Sequence, residues 1–182
     1  MKVVETEIEG LLIMEPRIFE DSRGYFFESY NEKTFRDAGL DLHFIQFNES
    51  RTNFGVIRGL HYQLQPRAQT KLVRVLQGKI WDVAVDIRKK SPTYLKWLGL
   101  ELSEENKKQL LIPKGFAHGF SVQSEYAVVL YKCDDFYAPE FEAGIRFDDE
   151  TLGVDWKIAP GKRIISQKDL GLPQLEKAGM NF

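Results

Sequence analysis

Two neighbouring stretches decide how this chain folds: Gly55-Val56-Ile57-Arg58-Gly59-Leu60-His61-Tyr62-Gln63 and Lys71-Leu72-Val73-Arg74-Val75-Leu76-Gln77-Gly78. Both are short, rich in branched apolar residues and bounded by turn formers, which is the pattern of a β-strand. The pattern recurs around Val3–Ile8, Leu11–Phe19, Tyr25–Tyr30, Phe44–Arg51, Lys79–Ile87, Trp97–Leu102, Gln109–Ile112, His118–Val122 and Tyr126–Lys132. Turn residues at Asn53–Gly55, Gln77–Gly78 and Ser91–Pro92 separate the runs. So many short strands predict an all-β antiparallel sandwich or barrel rather than alternating strand–helix units. Helices are few. Asn31 caps a short one running through Ala38 with Gly39 as its stop, Phe35 and Ala38 toward the core, and Glu32 and Arg36 spaced as an i,i+4 pair. Pro173–Ala178 reads as a second, weaker helical stretch.

No repeat, low-complexity tract or linker interrupts the 182 residues, so one domain over 1–182 is expected. The 25 basic and 27 acidic residues leave a net charge of −2, which argues against a nucleic-acid-coating surface or an acidic scaffold. A small, locally basic pocket for an anionic metabolite stays open. The one cysteine, Cys133, excludes an internal disulfide framework and fits a reducing compartment. Glu5, Glu7 and Glu9 precede any apolar run, and Leu11–Met14 is far shorter than the roughly 20 residues of a spanning helix. A soluble cytoplasmic protein with no membrane partner is expected. Only three histidines occur, His43, His61 and His118, against 13 Phe, 7 Tyr and 3 Trp. Trp81 and Phe120 read as core aromatics.

Strand parity gives the first functional signal. Lys71 shares a face with Val73 and Val75, His118 with Phe120 and Val122, and Tyr131 with Ala127 and Val129. Each strand directs one ionisable group toward an apolar interior, unless Lys71 lies on the solvent face; a buried lysine is costly without a partner. Strict alternation puts Arg58 and His61 on opposite faces. A bulge at Gly59 shifts the parity by one and brings them to the same side. Gln46 and Asn48 share a face and either read a base or sugar edge or are ordinary exposed strand residues. Arg23 sits in a loop before Gly24, where it is either solvated or suited to bidentate phosphate contact.

The spacing of Gly55 to His61, of Lys71 to Gly78, and the run Pro113-Lys114-Gly115-Phe116-Ala117-His118 resemble a cupin barrel. In metal-binding cupins the first motif supplies two histidines two apart and a glutamate, and the second another histidine. Here Gln63 takes the second histidine's place and Lys71 the acid's. An ammonium repels a cation, and two histidines do not make a site that needs at least three protein ligands. No metal is expected.

Taken together the motifs are similar to those of the dTDP-4-dehydrorhamnose 3,5-epimerase family. The resemblance is carried by Pro16-Arg17, Asp21–Phe26, Glu28-Ser29, Gln46-Phe47-Asn48, Gly55–Gln63, Lys71–Arg74, Pro113–Phe120, Leu130-Tyr131-Lys132, Tyr137-Ala138-Pro139, Glu142 and Ser166-Gln167-Lys168-Asp169, in the family's order. It implies a cupin fold, no cofactor, a dTDP-sugar substrate and a homodimer with exchanged N-terminal strands. It implies His61 as the base held by Asp169, Tyr131 as the opposing acid and Lys71 beside the keto oxygen, with Tyr137 near the sugar ring. Arg23, Glu28, Gln46, Asn48, Arg58, His118, Glu142 and Lys168 would hold the nucleotide sugar. Phe136 departs from the pattern, since many members carry a second tyrosine there.

The implied chemistry suits these residue types. Inverting C3 and C5 of a 4-keto-6-deoxyglucose unit exploits carbons acidified by the same ketone, with a base on one face and an acid on the other. Histidine, with a reference pKa of about 6.5, works as the base near neutral pH. Asp169 would orient the ring and stabilise the imidazolium, Tyr131 would return the proton, and Lys71 would stabilise the C4 oxyanion. The rivals are an enzyme inverting only C3 or C5, a cupin sugar-nucleotide ketoisomerase, and a non-catalytic nucleotide-sugar binder. The full His–Asp–Tyr–Lys set speaks against the last. Cys133, without a helix N-terminus or an effective basic neighbour, reads as structural.

Overall fold

The computed structural model describes residues 1–182. Its strands are β1 (Lys2–Glu5), β2 (Leu12–Glu15), β3 (Phe19–Asp21), β4 (Gly24–Phe26), β5 (Gln46–Asn53), β6 (Val56–Gln63), β7 (Lys71–Gln77), β8 (Lys79–Asp86), β9 (Trp97–Ser103), β10 (Gln109–Ile112), β11 (Phe116–Val122), β12 (Tyr126–Cys133), β13 (Glu142–Gly144) and β14 (Ile164–Ile165). Two short helices accompany them, α1 (Glu32–Asp37) and α2 (Gln167–Leu170). One sheet has the order β1-β2-β10-β7-β12-β5 and the other β13-β6-β11-β8-β9, with β14 beside β6. Every pairing is antiparallel except the parallel β14–β6 contact. This is the expected cupin-like jelly roll, built as two facing sheets.

The faces follow the parity of the sequence. Val73, Val75, Ala127, Val129, Phe120 and Val122 meet Ile80, Ala84, Leu102 and Leu110 in the core between the sheets. The face begun by these residues is continued by Lys71, His118 and Tyr131, so their inward direction is a consequence of strand pleating. On the outer side of the second sheet, Ile57, Leu60, Val83, Val85 and Ala117 are covered by Ile145, Trp156 and Leu175 of the C-terminal segments. Trp81 belongs to this outer layer and not to the space between the sheets, because it has the parity of Val83 and Val85.

Leu72 and Leu111 on the outer side of the first sheet are covered by Phe35 and Phe44. Asn31 caps α1 as expected, its Oδ1 accepting from Lys33 N and Thr34 N at 3.0 and 3.3 Å, and Arg36 pairs with Glu32 at 2.9 Å. Ala38 does not reach the core. The helix ends at Asp37, Ala38 is the C-cap, and Gly39 at φ +81° turns the chain away. Pro16 closes β2 early, since it has no N–H to offer a ladder, so the expected Leu11–Phe19 run divides into β2 and β3. Residues 173–178 hold only a 3₁₀ turn, Leu175–Lys177.

β2 pairs with β10 of the same chain, and β1 pairs with β2 at the edge of the sheet. The β3–β4 hairpin pairs with no other strand and exposes Phe19, Tyr25 and Phe26. No helix is long and apolar enough to cross a membrane.

Candidate active site

Between the sheets lies a cavity of about 350 Å³ lined by Gln46, Asn48, His61, Gln63, Gln69, Lys71, Tyr131, Tyr137, Glu142 and Lys168, among others. A more enclosed annex of about 140 Å³ adds Ser50, Arg58, His118 and Phe120 and shares His61, Lys71 and Tyr131 with it. The register explains the convergence. Gln46, Cys133 and Lys71 lie in one cross-strand row of β5, β12 and β7, and Asn48, Tyr131 and Val73 in the next inward row. His61 faces them from β6, where it is paired with His118 of β11.

The irregularity at Gly59 is present. Between the pairs His118–His61 and Phe120–Arg58, β6 carries two residues where β11 carries one. Gly59 stands at φ +122°, and a Cβ there would lie 2.6 Å from Gly119 Cα. Only glycine fits that approach and that backbone. The extra residue brings Arg58 and His61 to the same cavity, and Arg58 Nε donates to Thr52 Oγ1 at 3.1 Å.

His61 Nε2 lies 2.8 Å from Asp169 Oδ1. The imidazole is 30% exposed and the carboxylate 5%, so the ring reaches the cavity and the acid stands behind it. Asp169 arrives because β14 runs parallel beside β6 and Ser166 then caps α2, accepting from Asp169 N at 3.1 Å. Burial pushes the Asp169 carboxyl up, but the bond and charge of His61, the Gly59 N–H and Ser166 outweigh it and leave the carboxyl below its usual range. Tyr131 is pushed up, chiefly by burial and secondarily by Cys133 and Glu142, with Arg58 opposing. Lys71 is pulled down by burial against the weaker pull of Cys133, Asp82 and Glu142. Cys133 does have a basic neighbour in Lys71, yet burial dominates and raises the thiol to about 11; it is inert by this measure.

At the mouth, Glu142 accepts from Tyr137 Oη at 2.7 Å and from Lys168 Nζ at 2.6 Å. Burial raises the Glu142 carboxyl, but Lys168, Tyr137 and the charge of His61 bring it below its usual value. β13 delivers Glu142 opposite Gln63 of β6. Gln46 Nε2 donates to Asn48 Oδ1 at 3.1 Å.

Two of the expected residues lie outside this cavity on the single chain. Arg23 is at the exposed tip of the β3–β4 hairpin, where it pairs with Asp21 at 2.6 Å. Glu28 accepts from Asn31 Nδ2 and Thr34 Oγ1 at the start of α1. His43 is exposed, 3.8 Å from Glu32. No three His, Cys, Asp or Glu side chains come together as a metal set.

The sequence reading passed over Asp82. It is fully buried, its Oδ1 lies 2.8 Å from His118 Nε2, and its Oδ2 has no hydrogen-bond partner. The signal was available, since Asp82 shares parity with Ile80 and Ala84 on an apolar face. Ser50, Gln63 and Gln69 were also passed over as cavity residues.

The arrangement can take a proton from a ring carbon at His61, deliver one from Tyr131, and balance an oxyanion at Lys71. Comparison with known proteins places the chain in a family. A sequence model of dTDP-4-dehydrorhamnose 3,5-epimerase matches residues 5–177. The dTDP-4-dehydrorhamnose 3,5-epimerase of Pseudomonas aeruginosa is 51% identical over 170 residues, covering 93% of each chain. The crystal structure of that epimerase from Elizabethkingia anophelis superposes with a TM-score of 0.93 at 50% identity, over 97% of both chains. The Legionella pneumophila 3,5-epimerase, solved in complex with dTDP-4-keto-L-rhamnose, gives a TM-score of 0.92 at 47% identity, over 97% of this chain and 93% of that one. The chain belongs to the dTDP-4-dehydrorhamnose 3,5-epimerase family of isomerases.

Proposed function

We propose that this chain converts dTDP-4-dehydro-6-deoxy-D-glucose to dTDP-4-dehydro-L-rhamnose by inverting C3 and C5, as a step of dTDP-L-rhamnose biosynthesis in the cytoplasm. The observation that carries this reading is the convergence of the His61–Asp169 pair, Tyr131 and Lys71 on one cavity. His61 takes the proton from one carbon, and the C–H electrons move into the ring so that the C4 carbonyl becomes an enolate. Tyr131 returns a proton to the opposite face as the ketone re-forms; the His61 imidazolium then gives its proton up to solvent, the Tyr131 phenolate takes one back, and the cycle repeats at the second carbon. Asp169 holds His61 and stabilises the imidazolium, contributing through a group already in place. Lys71 balances the charge on the C4 oxygen, an interaction strongest in the transition state. The ketone supplies the acidity, so no cofactor enters the scheme.

Tyr137 packs by the sugar ring in this reading. Gln46, Asn48, Arg58, His118, Glu142 and Lys168 hold the nucleotide sugar, with the cations meeting the diphosphate. Arg23 and Glu28 complete the site in a homodimer in which the N-terminal arm of one copy reaches the cavity of the other. Their position away from their own cavity and the exposed aromatics of the β3–β4 hairpin support this. Mixing Arg23→Ala and His61→Ala proteins tests it: subunit exchange regenerates one intact site, and activity returns above that of either variant alone.

The reaction is tested by giving the protein dTDP-4-dehydro-6-deoxy-D-glucose in D₂O and following the C3 and C5 protons by NMR. Exchange at both carbons supports the double inversion. Exchange at one identifies a mono-epimerase, and no exchange at high enzyme concentration removes the epimerase reading.

A further inference from the structure

Gln63 lines the cavity, yet its amide is turned to the backbone around it. It is 5% exposed. Its Nε2 donates to the carbonyls of Arg67 and Phe136 at 2.5 and 3.3 Å, and its Oε1 accepts from Ala138 N at 2.8 Å. Both N–H groups and the carbonyl of the amide are therefore spent on backbone. Two further amides do the same job from other parts of the fold. Gln46 Oε1 accepts from Tyr137 N at 2.7 Å, and Gln69 Nε2 donates to Asp135 O at 2.8 Å. The segment Asp135–Ala138 belongs to no strand or helix, so glutamine side chains replace the ladder that would otherwise fix it. The residue this brace carries into the cavity mouth is Tyr137, whose hydroxyl is aligned on Glu142.

We propose that Gln63 is a positioning residue for substrate recognition, holding Tyr137 against the sugar by bracing Phe136 and Ala138 on either side of it. The inference rests on the reading of Tyr137 as the sugar-side contact. A misplacement of about 1 Å costs up to about 10²-fold in rate where the group aligns the reacting atoms; Tyr137 stands at the sugar and not among the proton-transfer groups, so its displacement falls on binding. Leucine at position 63 keeps the volume and removes all three bonds. Gln63→Leu raises KM for dTDP-4-dehydro-6-deoxy-D-glucose about tenfold and changes kcat less than about threefold, since His61, Asp169, Tyr131 and Lys71 are untouched. Glutamate keeps the acceptor for Ala138 N but sets a carboxylate oxygen against the carbonyls of Arg67 and Phe136, so Gln63→Glu raises KM at least as much as Gln63→Leu.

The deciding measurement is a double-mutant cycle with Tyr137→Ala, which isolates the coupling between the two positions. Tyr137→Ala alone raises KM, and adding Gln63→Leu to it raises KM by less than about twofold more. Full multiplication of the two effects, or an unchanged KM in Gln63→Leu, overturns the inference while leaving the role of Tyr137 intact. An unchanged KM in Tyr137→Ala overturns the sugar-side reading of that residue, and the inference with it. If Gln63→Leu does not fold, the same cycle runs with Gln63→Met.

Discussion

Replacing Lys71 by methionine separates stability from function. The lysine has no ion-pair or hydrogen-bond partner in the fold, and the Cys133 thiol and the charges of Asp82 and Glu142 around it fail to offset its burial. It continues the apolar face of Val73 and Val75, so methionine retains the stem packing and removes a poorly solvated charge. Exchanging buried ionic groups for apolar ones of similar volume is often stabilising by about 1–4 kcal/mol. The lower end applies because Lys71 is half-buried and lines the cavity. A gain of about 1 kcal/mol raises Tm by roughly 2–4 °C in a chain of this size. The same change lowers kcat by on the order of 10²–10³, the usual loss for one preorganised oxyanion partner. The pH dependence gives an independent check. The folded pKa lies below the ordinary 10.5, so between the two values the unfolded chain binds more protons and wild-type stability rises with pH. The advantage of Lys71→Met is full below that window and shrinks as the pH rises through it. Calorimetry at several pH values with parallel kinetics measures all three effects. A lower Tm for Lys71→Met at neutral pH refutes the claim that the ammonium is held at a cost to the fold.

Other perturbations follow from the geometry. The depressed Asp169 carboxyl contributes stability that is fully present above its unfolded value of 3.8 and lost as the pH falls through the folded value; Asp169→Asn flattens that part of the acid-unfolding profile and lowers kcat. Gly59→Ala forces a Cβ to 2.6 Å from Gly119 Cα and 2.9 Å from His118 O at φ +122°. It destabilises by about 3 kcal/mol or more in denaturant titration, because backbone on the neighbouring strand must move. Asn31→Ala removes the α1 cap and costs about 1 kcal/mol, read as a Tm loss of roughly 2–4 °C.

Much of the site was legible because pleating converts sequence parity into direction. Lys71, His118 and Tyr131 each sit two residues from apolar neighbours, and their strands carry them inward together. Gly59 was readable as the break that reunites Arg58 with His61, since glycine inside a strand has few other uses. Asp82 carried the same parity signal and was passed over, although the acid behind His118 follows from the argument that singled out Lys71. The hold of Gln63 on Phe136 and Ala138 had no local signal: these two partners lie 73 and 75 residues away in sequence, and glutamine on a strand does not announce backbone as its target. The strands β13 and β14 are three and two residues long, too short to show a period, yet they deliver Glu142 and lead to Asp169. The placement of Arg23 and Glu28 depends on a second copy in the proposed reading, which no pattern within one chain encodes.

The central claim is that His61 removes the ring protons and Tyr131 returns one on the opposite face. It is tested most directly by following deuterium uptake and inversion together in His61→Ala and Tyr131→Phe proteins given dTDP-4-dehydro-6-deoxy-D-glucose in D₂O. The account predicts no deuterium at C3 or C5 with His61→Ala, while dTDP still binds. It predicts deuterium uptake without accumulation of the doubly inverted product with Tyr131→Phe. Wild-type rates of uptake in His61→Ala, or full inversion in Tyr131→Phe, would contradict it.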